Sequence, residues 1–390
     1  MTTERLDALA GPDGQAVLAE LAALEPRELT GPAGLRLGAQ LRARFPTELV
    51  VDAFGQAELR AAARTKFSRA QDMWFTRAGL EQASMQEVAQ HRRARFVGAG
   101  AVADLCCGIG GDLLALAADH DVRAVDHDPV HLWMAAHNAA AHGLGHRVTT
   151  VEADVRDVDL AGVDAVFVDP ARRAGGRRHR VGECEPPLAW CATLVDRVAA
   201  VGVKAAPGID HDLAPAGWEI EFVSVGRELK EAALWSPALA GARTRATVLP
   251  TGAVLLPEPG DPVPVREPGQ HLLDPDPAVT RAGLVAELAR ATGTWQLDPQ
   301  IAFLSGDAPV ETPFARTLRV LDSAPWHQKR LPKRLRDLDV GAVDIRRRGL
   351  AGDVEALHRT LHRGLTGSRR VTLVMTRLDG RPWSLICTDP

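Results

Sequence analysis

The first 95 residues carry the hydrophobic spacing of helices. Within Val17–Leu24, for example, apolar side chains recur at every third or fourth position, and prolines separate this stretch from the next. A further helix is predicted at about 81–96. The aromatic pair Trp74 and Phe75 precedes it, and core packing is favoured for this pair over contact with a ligand. We therefore expect a helical N-terminal region over residues 1–95.

Beyond residue 100, short apolar runs alternate with helical patterns, which is typical of a parallel sheet with crossover helices. The runs that predict strands are Ala101–Leu105, Val122–Val125, Val148–Val151, Val163–Val168 and Val201–Lys204. The helices predicted between them lie at about 111–119, 129–143 and 186–199. Strand-like segments without long helices between them, which predict an antiparallel end to the sheet, follow at Glu219–Val225, Glu228–Leu234 and Thr244–Leu249. The expected fold class of residues 96–250 is α/β, with a Rossmann-like sheet.

The remaining residues divide into a connector and a small domain. Eight prolines between 250 and 277 predict an extended connector, followed by a helix at about 279–292, and both belong to residues 251–315. Residues 316–390 are predicted to form a small α/β domain with a helix at 352–363. Its predicted strands are Leu318–Leu321, Gly341–Arg346, Val371–Met375 and Trp383–Cys387.

Charge is distributed unevenly along the chain. The 390 residues carry 46 Lys and Arg against 50 Asp and Glu, a net charge of −4, and 41 of the 46 basic residues are Arg. Residues 316–390 hold 16 basic and 8 acidic residues, a net of +8, so residues 1–315 carry −12. The overall charge excludes a uniformly basic nucleic-acid coat. The basic C-terminal part nevertheless predicts an anionic partner there.

Several protein classes are not indicated by the sequence. No segment approaches the ~18 uninterrupted apolar residues of a membrane span, and residues 1–14 lack the pattern of a signal peptide. The five cysteines include no CxxC pair, and the adjacent Cys106 and Cys107 suit neither a zinc cage nor a disulfide framework. We expect a cytoplasmic protein with reduced thiols, no membrane association and no metal. A nucleophilic Cys184, of the kind used to methylate pyrimidine carbons, is kept as an alternative.

A glycine-rich turn provides the strongest chemical signal. The sequence VADLCCGIGGD at Val102–Asp112 follows a predicted strand and opens a predicted helix. Glycines at such a turn, here Gly108 and Gly110, accept positive φ and let a ligand press against the backbone. The dinucleotide pattern G-x-G-x-x-G is absent, because its last position is Leu113. Asp104 at the strand end suits a cationic amine and would repel a pyrophosphate, so NAD is not expected.

Two further acids follow the next two predicted strands. Asp126 lies 22 residues after Asp104, close to the ~20-residue offset at which an acid reaches ribose hydroxyls. Asp154, followed by Val155, ends the third strand and is placed to meet an adenine amino group. Each acid alone could equally be a helix cap or an exposed loop residue. Three acids at successive strand ends beside a glycine turn predict a site for S-adenosylmethionine (SAM).

These residues resemble the class I SAM-dependent methyltransferases. The resemblance implies that Asp104, Gly108 and Gly110 hold the methionine part of the cofactor, that Asp126 binds the ribose and that Asp154, beside Val155, binds the adenine. Cys106 is included in the candidate cofactor site because it stands where many members of the family have another glycine. This substitution leaves slightly less room beside the cofactor.

The acceptor side of the site is predicted after the fourth strand. The sequence Asp169-Pro170-Ala171-Arg172 resembles the D/N-P-P-Y/F/R motif of methyltransferases that act on nucleobase nitrogens. That resemblance implies catalytic roles for Asp169, Pro170 and Arg172, with the acid and a backbone carbonyl orienting the target amine. Ala171 replaces the second proline and Arg172 replaces the aromatic residue, so stacking on a base would fall to an arginine plane.

Two basic features lie near this motif. Residues 172–180 contain five arginines and one histidine, which suit phosphate contacts or equally a solvated loop. Lys204, at the end of the fifth predicted strand, could instead point to the sheet edge. Together with Asp169 it also resembles the Lys/Asp pairs that activate a ribose 2′-hydroxyl. We rank ribose chemistry below chemistry on a base nitrogen.

Over residues 65–390 the chain resembles a bacterial methyltransferase family with a C-terminal THUMP-like domain. The segment Gln270–Leu284 and the C-terminal segments Val340–Gly349 and Val371–Arg377 carry this part of the resemblance. THUMP domains bind RNA in RNA-modifying enzymes, so the likeness implies a tRNA or rRNA acceptor by analogy. Two basic clusters in this domain, with Trp326 beside the first, agree with that partner: Lys329, Arg330, Lys333, Arg334 and Arg336, and Arg346, Arg347 and Arg348.

The sequence thus predicts a SAM-dependent methyltransferase acting on a nucleobase nitrogen of structured RNA. Three alternatives stay open: a non-catalytic RNA-binding protein that keeps SAM as a structural ligand, a ribose 2′-O-methyltransferase, and a methyltransferase for a small molecule or protein. The oligomeric state is left undetermined.

Overall fold

The computed structural model describes residues 1–172, 184–362 and 364–389. Its internal contacts divide the chain into two compact units. The first unit consists of Met1–Glu219 and Ala232–Gly241, and the second consists of Ile220–Glu231 and Ala242–Pro390.

The N-terminal region of the first unit is helical, as its hydrophobic spacing predicts. Prolines occupy the first position of α2, α3 and α4, where a missing N–H costs nothing. The helix expected at 81–96 is instead two helices, because Ala83 and Met85 adopt extended backbone conformations between them. The helices are α1 Thr3–Ala10, α2 Pro12–Ala22, α3 Pro26–Leu29, α4 Pro32–Arg42, α5 Thr47–Ala63, α6 Arg77–Gln82 and α7 Gln86–Arg93.

A predominantly parallel sheet follows. The strands up to residue 255 are β1 Ala101–Leu105, β2 Asp121–Asp126, β3 Val148–Glu152, β4 Ala165–Val168, β5 Ala171–Arg172, β6 Cys184–Glu185, β7 Ala200–Ala205, β8 Glu219–Val225, β9 Glu228–Trp235, β10 Thr244–Leu249 and β11 Ala253–Leu255. In the first unit the neighbours run β7-β4-β1-β2-β3, all parallel, and residues 232–235 of β9 pair antiparallel with β7. The predicted Rossmann-like arrangement and its antiparallel addition are confirmed.

The crossover helices differ in length from their predictions. They are α8 Leu113–Leu116, α9 Pro129–Ala141 and α10 Leu188–Thr193. Only α9 matches its expected length of about 129–143. Helix α8 is one turn long because the glycine turn before it continues to Asp112, and α10 gives way to a 3-10 turn at Leu194–Asp196.

Aromatic side chains connect the sheet with the N-terminal helices. Phe96 packs edge-on against Phe167 of β4 and Trp235 of β9, with ring centroids 6.4 and 5.8 Å apart. Trp74 and Phe75 are buried in the core of the helical region, 6% and 0% exposed. The prediction that this pair packs in the core is therefore confirmed.

Asn138 is the only asparagine of the chain, and it is fully buried on α9. Its Oδ1 accepts a hydrogen bond from the Trp74 backbone N–H at 2.7 Å. Its Nδ2 donates to the carbonyls of Trp74 and Ile109 at 3.1 and 2.9 Å. One side chain thus connects the helical region, the crossover helix and the glycine turn.

The second unit contains more strands than predicted. Its remaining elements are α11 Pro277–Ala282, α12 Val285–Thr292, β12 His271–Pro275, β13 Trp295–Asp298, β14 Ile301–Gly306, β15 Ala315–Pro325, α13 Leu331–Asp337, β16 Val340–Arg347, α14 Val354–His362, β17 Arg369–Leu378 and β18 Arg381–Thr388. Seven strands form one sheet in the order β13-β14-β12-β15-β18-β17-β16. The four strands and the helix predicted for residues 316–390 are all present.

The structure corrects the expected connector at residues 251–315. Only residues 256–270 are largely without regular structure, whereas β12, β13 and β14 belong to the same sheet as the C-terminal strands. The predicted helix at 279–292 is divided by Gly283, which has φ +74° and caps α11. Proline density predicted the irregular part, but the short strands beyond it carry no clear alternation.

No helix within the described ranges is both long enough and apolar enough to span a membrane.

Asn138 provides a stability test. Replacing it by Ala leaves the buried N–H and carbonyl of Trp74 without a partner, so the free energy of unfolding should fall by about 3 kcal/mol, measured by urea unfolding. Gln15→Ala, which removes an exposed amide from α2, is the matched control and should change it by less than about 0.5 kcal/mol. Equal effects of the two substitutions would contradict the connecting role.

Candidate active site

A cavity of about 840 Å³ lies in the first unit, at the carboxyl ends of the parallel strands. Ligands of open α/β sheets bind at this edge, because the strand ends and their loops converge there. Most residues predicted for the site line the cavity: Asp104, Cys106, Gly108, Asp126, Asp154, Val155, Asp169 and Pro170. The structure therefore brings both the predicted cofactor acids and the predicted catalytic acid into one space.

Two predicted residues are placed differently. Gly110 does not line the cavity, and a Cβ built on it would lie 3.4 Å from the Ala135 backbone of α9. Its role is to keep the turn close to α9 at φ +90°. The backbone of Arg172 lies in β5, but its side chain and the arginine-rich loop at 173–183 lie outside the described residues.

The glycine turn exposes its backbone to the cavity. Gly108 has φ +54°, and a Cβ built there would meet no atom within 4 Å, so the space beside it is open to a ligand. Cys106 adopts φ +61° although it carries a side chain, a conformation that favours glycine. The family's usual glycine at this position thus fits the backbone that the structure shows.

Asp104 is the most unusual group in the cavity. It is 0% exposed, and neither of its carboxylate oxygens has a hydrogen-bond partner among the described residues. Burial, and next the nearby Asp169 carboxylate, raise the pKa of Asp104 to about 8. A buried carboxyl without donors needs a cation to ionise. This geometry fits an ammonium group in the cavity.

Asp126 is held at the end of β2 by backbone donors. Its Oδ2 accepts from the Gly108 N–H at 2.9 Å, and its Oδ1 accepts from the Asp128 N–H at 3.0 Å. The side chain is 5% exposed and lines the cavity. The carboxylate is thereby fixed beside the glycine turn, where it can accept hydrogen bonds from a diol.

Asp154 and Val155 occupy the neighbouring strand end. Asp154 accepts from the Arg156 N–H at 2.9 Å, and this hydrogen bond is the main cause of its lowered pKa. Arg156 also forms an ion pair with Glu185 of β6. Val155 is 6% exposed and offers an apolar surface to the cavity. An ionised acid beside an apolar wall suits an amino-substituted heterocycle.

Asp169 and Lys204 form an ion pair that lines the cavity. The Lys204 Nζ lies 2.7 Å from Asp169 Oδ2, and both side chains are largely buried. Asp169 follows β4 directly, and its N–H donates to the Leu105 carbonyl at 3.2 Å. Lys204 therefore does not point to the sheet edge. Pro170 is buried and fixes the chain direction after the acid.

Sequence reasoning missed the residues that the N-terminal helices contribute. Gly79, Glu81, Gln82, Ala83 and Ser84 form one wall of the cavity. Ser84 lies between the two helices that were predicted as one, so no periodicity marked it. Asp112, which stood in the quoted glycine motif without a role, also lines the cavity.

The two cysteines of the glycine turn are not activated as nucleophiles. Burial raises the pKa of the Cys106 thiol and that of Cys107, the opposite of what a thiolate requires. The Cys184 thiol lines the cavity and donates to the Pro186 carbonyl at 3.2 Å. The geometry supports chemistry through Asp169.

The cavity fits SAM by its own chemistry. The orphaned carboxylate of Asp104 can bind the ammonium group, the open space at Gly108 can take the methionine chain, and Asp126 can bind the ribose. The fold and the cavity together define the class of Rossmann-like SAM-dependent methyltransferases.

Comparison with known proteins identifies the family. Two uncharacterised S-adenosylmethionine-dependent methyltransferases from two strains of Mycobacterium tuberculosis are each 43% identical over 318 residues, covering 78% of this chain and 84% of the relative. The chain belongs to this family of SAM-dependent methyltransferases. Its cofactor is SAM, and the predicted enzyme class is confirmed.

Family models match three parts of the chain. Residues 99–184 match RNA cap guanine-N2 methyltransferase, residues 315–389 match THUMP domain-like, and residues 2–63 match a domain of unknown function. A crystal structure of a Porphyromonas gingivalis protein described as a methyltransferase is 21% identical with a TM-score of 0.73, covering 95% of this chain and 96% of that one. This likeness supports the fold over nearly the whole length.

The raised pKa of Asp104 predicts that the protein releases a proton when it binds the cofactor. Since its pKa is raised to about 8, most molecules of the ligand-free protein carry a neutral Asp104 at pH 7. An ammonium favours the ionised form, so SAM should displace up to one proton at this pH, and its affinity should rise as the pH approaches 8. Calorimetry in buffers of different ionisation enthalpy measures this release.

The controls for Asp104 are a ligand and a variant. Methylthioadenosine lacks the ammonium and should release no proton, and neither should SAM bound to Asp104→Asn. Equal proton release by the two ligands would contradict the placement of the ammonium at Asp104.

Asp126→Ala should weaken SAM binding by about 1–3 kcal/mol, because it removes the acceptor proposed for the ribose and leaves the Gly108 N–H without its partner. Asp128→Ala is the matched control, since Asp128 caps α9 and does not line the cavity. Titration calorimetry compares the two variants. Unchanged affinity of Asp126→Ala would refute the ribose assignment.

Proposed function

We propose that this enzyme transfers the methyl group of SAM to a nucleobase nitrogen in structured RNA, either tRNA or rRNA. The observation that carries the proposal is the position of Asp169. Its carboxylate lies in the same cavity as Asp104 and Asp126, directly after β4, in an Asp-Pro turn like that of methyltransferases acting on base nitrogens.

The proposed reaction mainly requires that the target amine is oriented toward the methyl group of SAM. Bound SAM supplies a methyl group on a sulfonium. Asp169 and a backbone carbonyl of the turn accept hydrogen bonds from the target N–H groups and so aim the nitrogen lone pair at the methyl carbon. The N–C bond forms as the C–S bond breaks with its electron pair going to sulfur. The surplus proton on nitrogen then passes to Asp169 or to solvent.

An RNA acceptor is supported by the family models and by charge. The THUMP domain-like match at 315–389 coincides with the segment of net charge +8, and the match at 99–184 is to an RNA-modifying family. A basic surface of this kind neutralises phosphates without reading sequence.

In the two basic clusters some arginines are tied into the fold and others are exposed, with Arg346 and Arg347 among the exposed ones. Arg334 is tied to Asp322 and Ser384, and Arg348 packs over Phe303 with bonds to Asp274 and Ala302, so both serve the folding of the second unit. Arg347 donates to the Gly352 carbonyl. Trp326 packs against the core. The exposed basic residues just before and within α13, called the α13 basic surface, are Lys329, Arg330, Lys333 and Arg336.

Ribose 2′-O-methylation is the second candidate function. It is kept because the 2.7 Å pair of Lys204 and Asp169 resembles the Lys/Asp pairs that activate a ribose 2′-hydroxyl.

Asp169→Asn tests the catalytic proposal. Methyl transfer from labelled SAM to total RNA of a strain lacking this protein should fall about 100-fold or more, while SAM affinity is retained, because Asp169 orients the acceptor. Asp157→Asn, an exposed acid on a nearby loop, should keep full activity. If the wild-type protein labels no RNA, the RNA proposal fails; mass spectrometry of the labelled nucleosides identifies the atom.

Charge removal on the α13 basic surface tests RNA docking. Arg330, Lys333 and Arg336 changed together to Gln should weaken binding to bulk tRNA and reduce the slope of log affinity against log salt by about 2. The matched control changes the exposed Arg27, Arg36 and Arg42 of the N-terminal helices to Gln and should leave the slope unchanged. The same loss in both triple variants would point to nonspecific attraction.

A further inference from the structure

We infer that Lys204 is a positioning residue, held as an ammonium by Ser84 of the N-terminal region so that it fixes Asp169 and does not act as a base. The inference rests on the proposed function and deepens it, because it selects an acceptor that can attack the methyl carbon without first losing a proton. A nucleobase nitrogen fits that requirement, whereas a ribose hydroxyl is a weak nucleophile until a base removes its proton.

The contacts of Lys204 come from two directions. Its Nζ donates to Asp169 Oδ2 at 2.7 Å and to Ser84 Oγ at 3.0 Å. The side chain is only 16% exposed, so water screens these contacts weakly. The contact with Asp169 is thus an ion pair in a partly buried site.

The other partners of Ser84 fix the direction of its hydrogen bond with Lys204. A serine hydroxyl has one hydrogen, and Ser84 donates it to Asp112 Oδ2 at 2.8 Å. The other Asp112 oxygen pairs with Arg92, which is 3% exposed, so Asp112 serves both neighbours as an acceptor. Ser84 Oγ is therefore the acceptor of the hydrogen bond from Lys204, and it also accepts from Arg92 Nη2 at 3.5 Å. The chain of contacts from Arg92 through Asp112 and Ser84 to Lys204 is complete and almost fully buried.

The segment that carries Ser84 is itself fixed by a second lysine. Lys66 Nζ donates to the carbonyls of Leu80, Glu81 and Ala83 at 2.7, 3.0 and 3.0 Å. Three acceptors converging on one point suit the compact ammonium of lysine, and a planar guanidinium could not satisfy them in the same way. The chain has only five lysines against 41 arginines, and two of the five hold this wall of the cavity.

The contacts of Lys204 with Asp169 and Ser84 oppose a role as the base that removes a proton from the acceptor. To take a proton from a ribose hydroxyl, Lys204 would first have to lose one while paired with Asp169, with Asp104 and Asp126 in the same cavity. Losing that proton would break the ion pair of Lys204 with Asp169. The proton removed in the reaction is therefore the surplus proton of a methylated nitrogen, which leaves only after the N–C bond has formed.

Lysine-selective ¹⁵N NMR tests the arrangement without any acceptor, and five lysines make the spectrum assignable, with Lys204→Arg identifying the signal. The Lys204 ammonium should show slow hydrogen exchange in the wild type, lose it in Ser84→Ala and Asp169→Asn, and regain it in Ser84→Thr. The Lys66 signal should stay unchanged in all variants, which shows that each is folded. Persistence of the Lys204 signal in Ser84→Ala would overturn the inference.

Methyl transfer to total RNA tests the consequence. Ser84→Ala should lower kcat about 10-fold, the effect of losing one hydrogen bond to a charged group, with the KM for SAM unchanged, and Ser84→Thr should restore it. A product methylated on ribose oxygen, or a Ser84→Ala enzyme with full kcat, would overturn the inference. If wild type labels no RNA, the proposed function fails while the NMR result still decides how Lys204 is held.

Discussion

The buried carboxyl of Asp104 is the constraint on which the cavity depends. A carboxylate with no hydrogen-bond donor of its own is costly to ionise, and this one lies within the field of Asp169 and Asp126. The fold places around it a glycine turn with open space, so a cationic ligand can reach it. We propose that this otherwise unpaired carboxyl, mostly neutral at pH 7 in the free protein, ionises when it meets the ammonium of SAM and so contributes to the affinity.

The sheet alone does not complete this site. Its strand ends supply Asp104, Asp126, Asp169 and Lys204, but one wall of the cavity comes from the loop between α6 and α7. Lys66 fixes that loop, and Asn138 fixes the segment before it against α9. The helical region is thus a structural part of the methyltransferase site, which explains why it belongs to the same compact unit as the sheet.

In the second unit, arginines serve two different purposes. Some are tied to carboxylates and carbonyls within the fold, as Arg334 and Arg348 are, while those of the α13 basic surface face solvent. A net charge of +8 in the sequence does not distinguish these groups. Only the exposed group can neutralise the phosphates of a partner without loss of internal contacts.

The sequence by itself determined the sheet and its acids, because the local spacing of apolar residues and glycines predicts strands and turns. Asp104, Asp126 and Asp154 follow apolar runs, and the carboxyl ends of parallel strands must share one edge. Only the tertiary structure decided which remote residues contact each other. Ser84 binds Lys204, 120 positions away in the sequence, and Gly110 packs on α9 and does not line the cavity. The tertiary structure also placed β12, β13 and β14 in one sheet with the C-terminal strands. Such contacts depend on distances between remote segments, which no local pattern encodes.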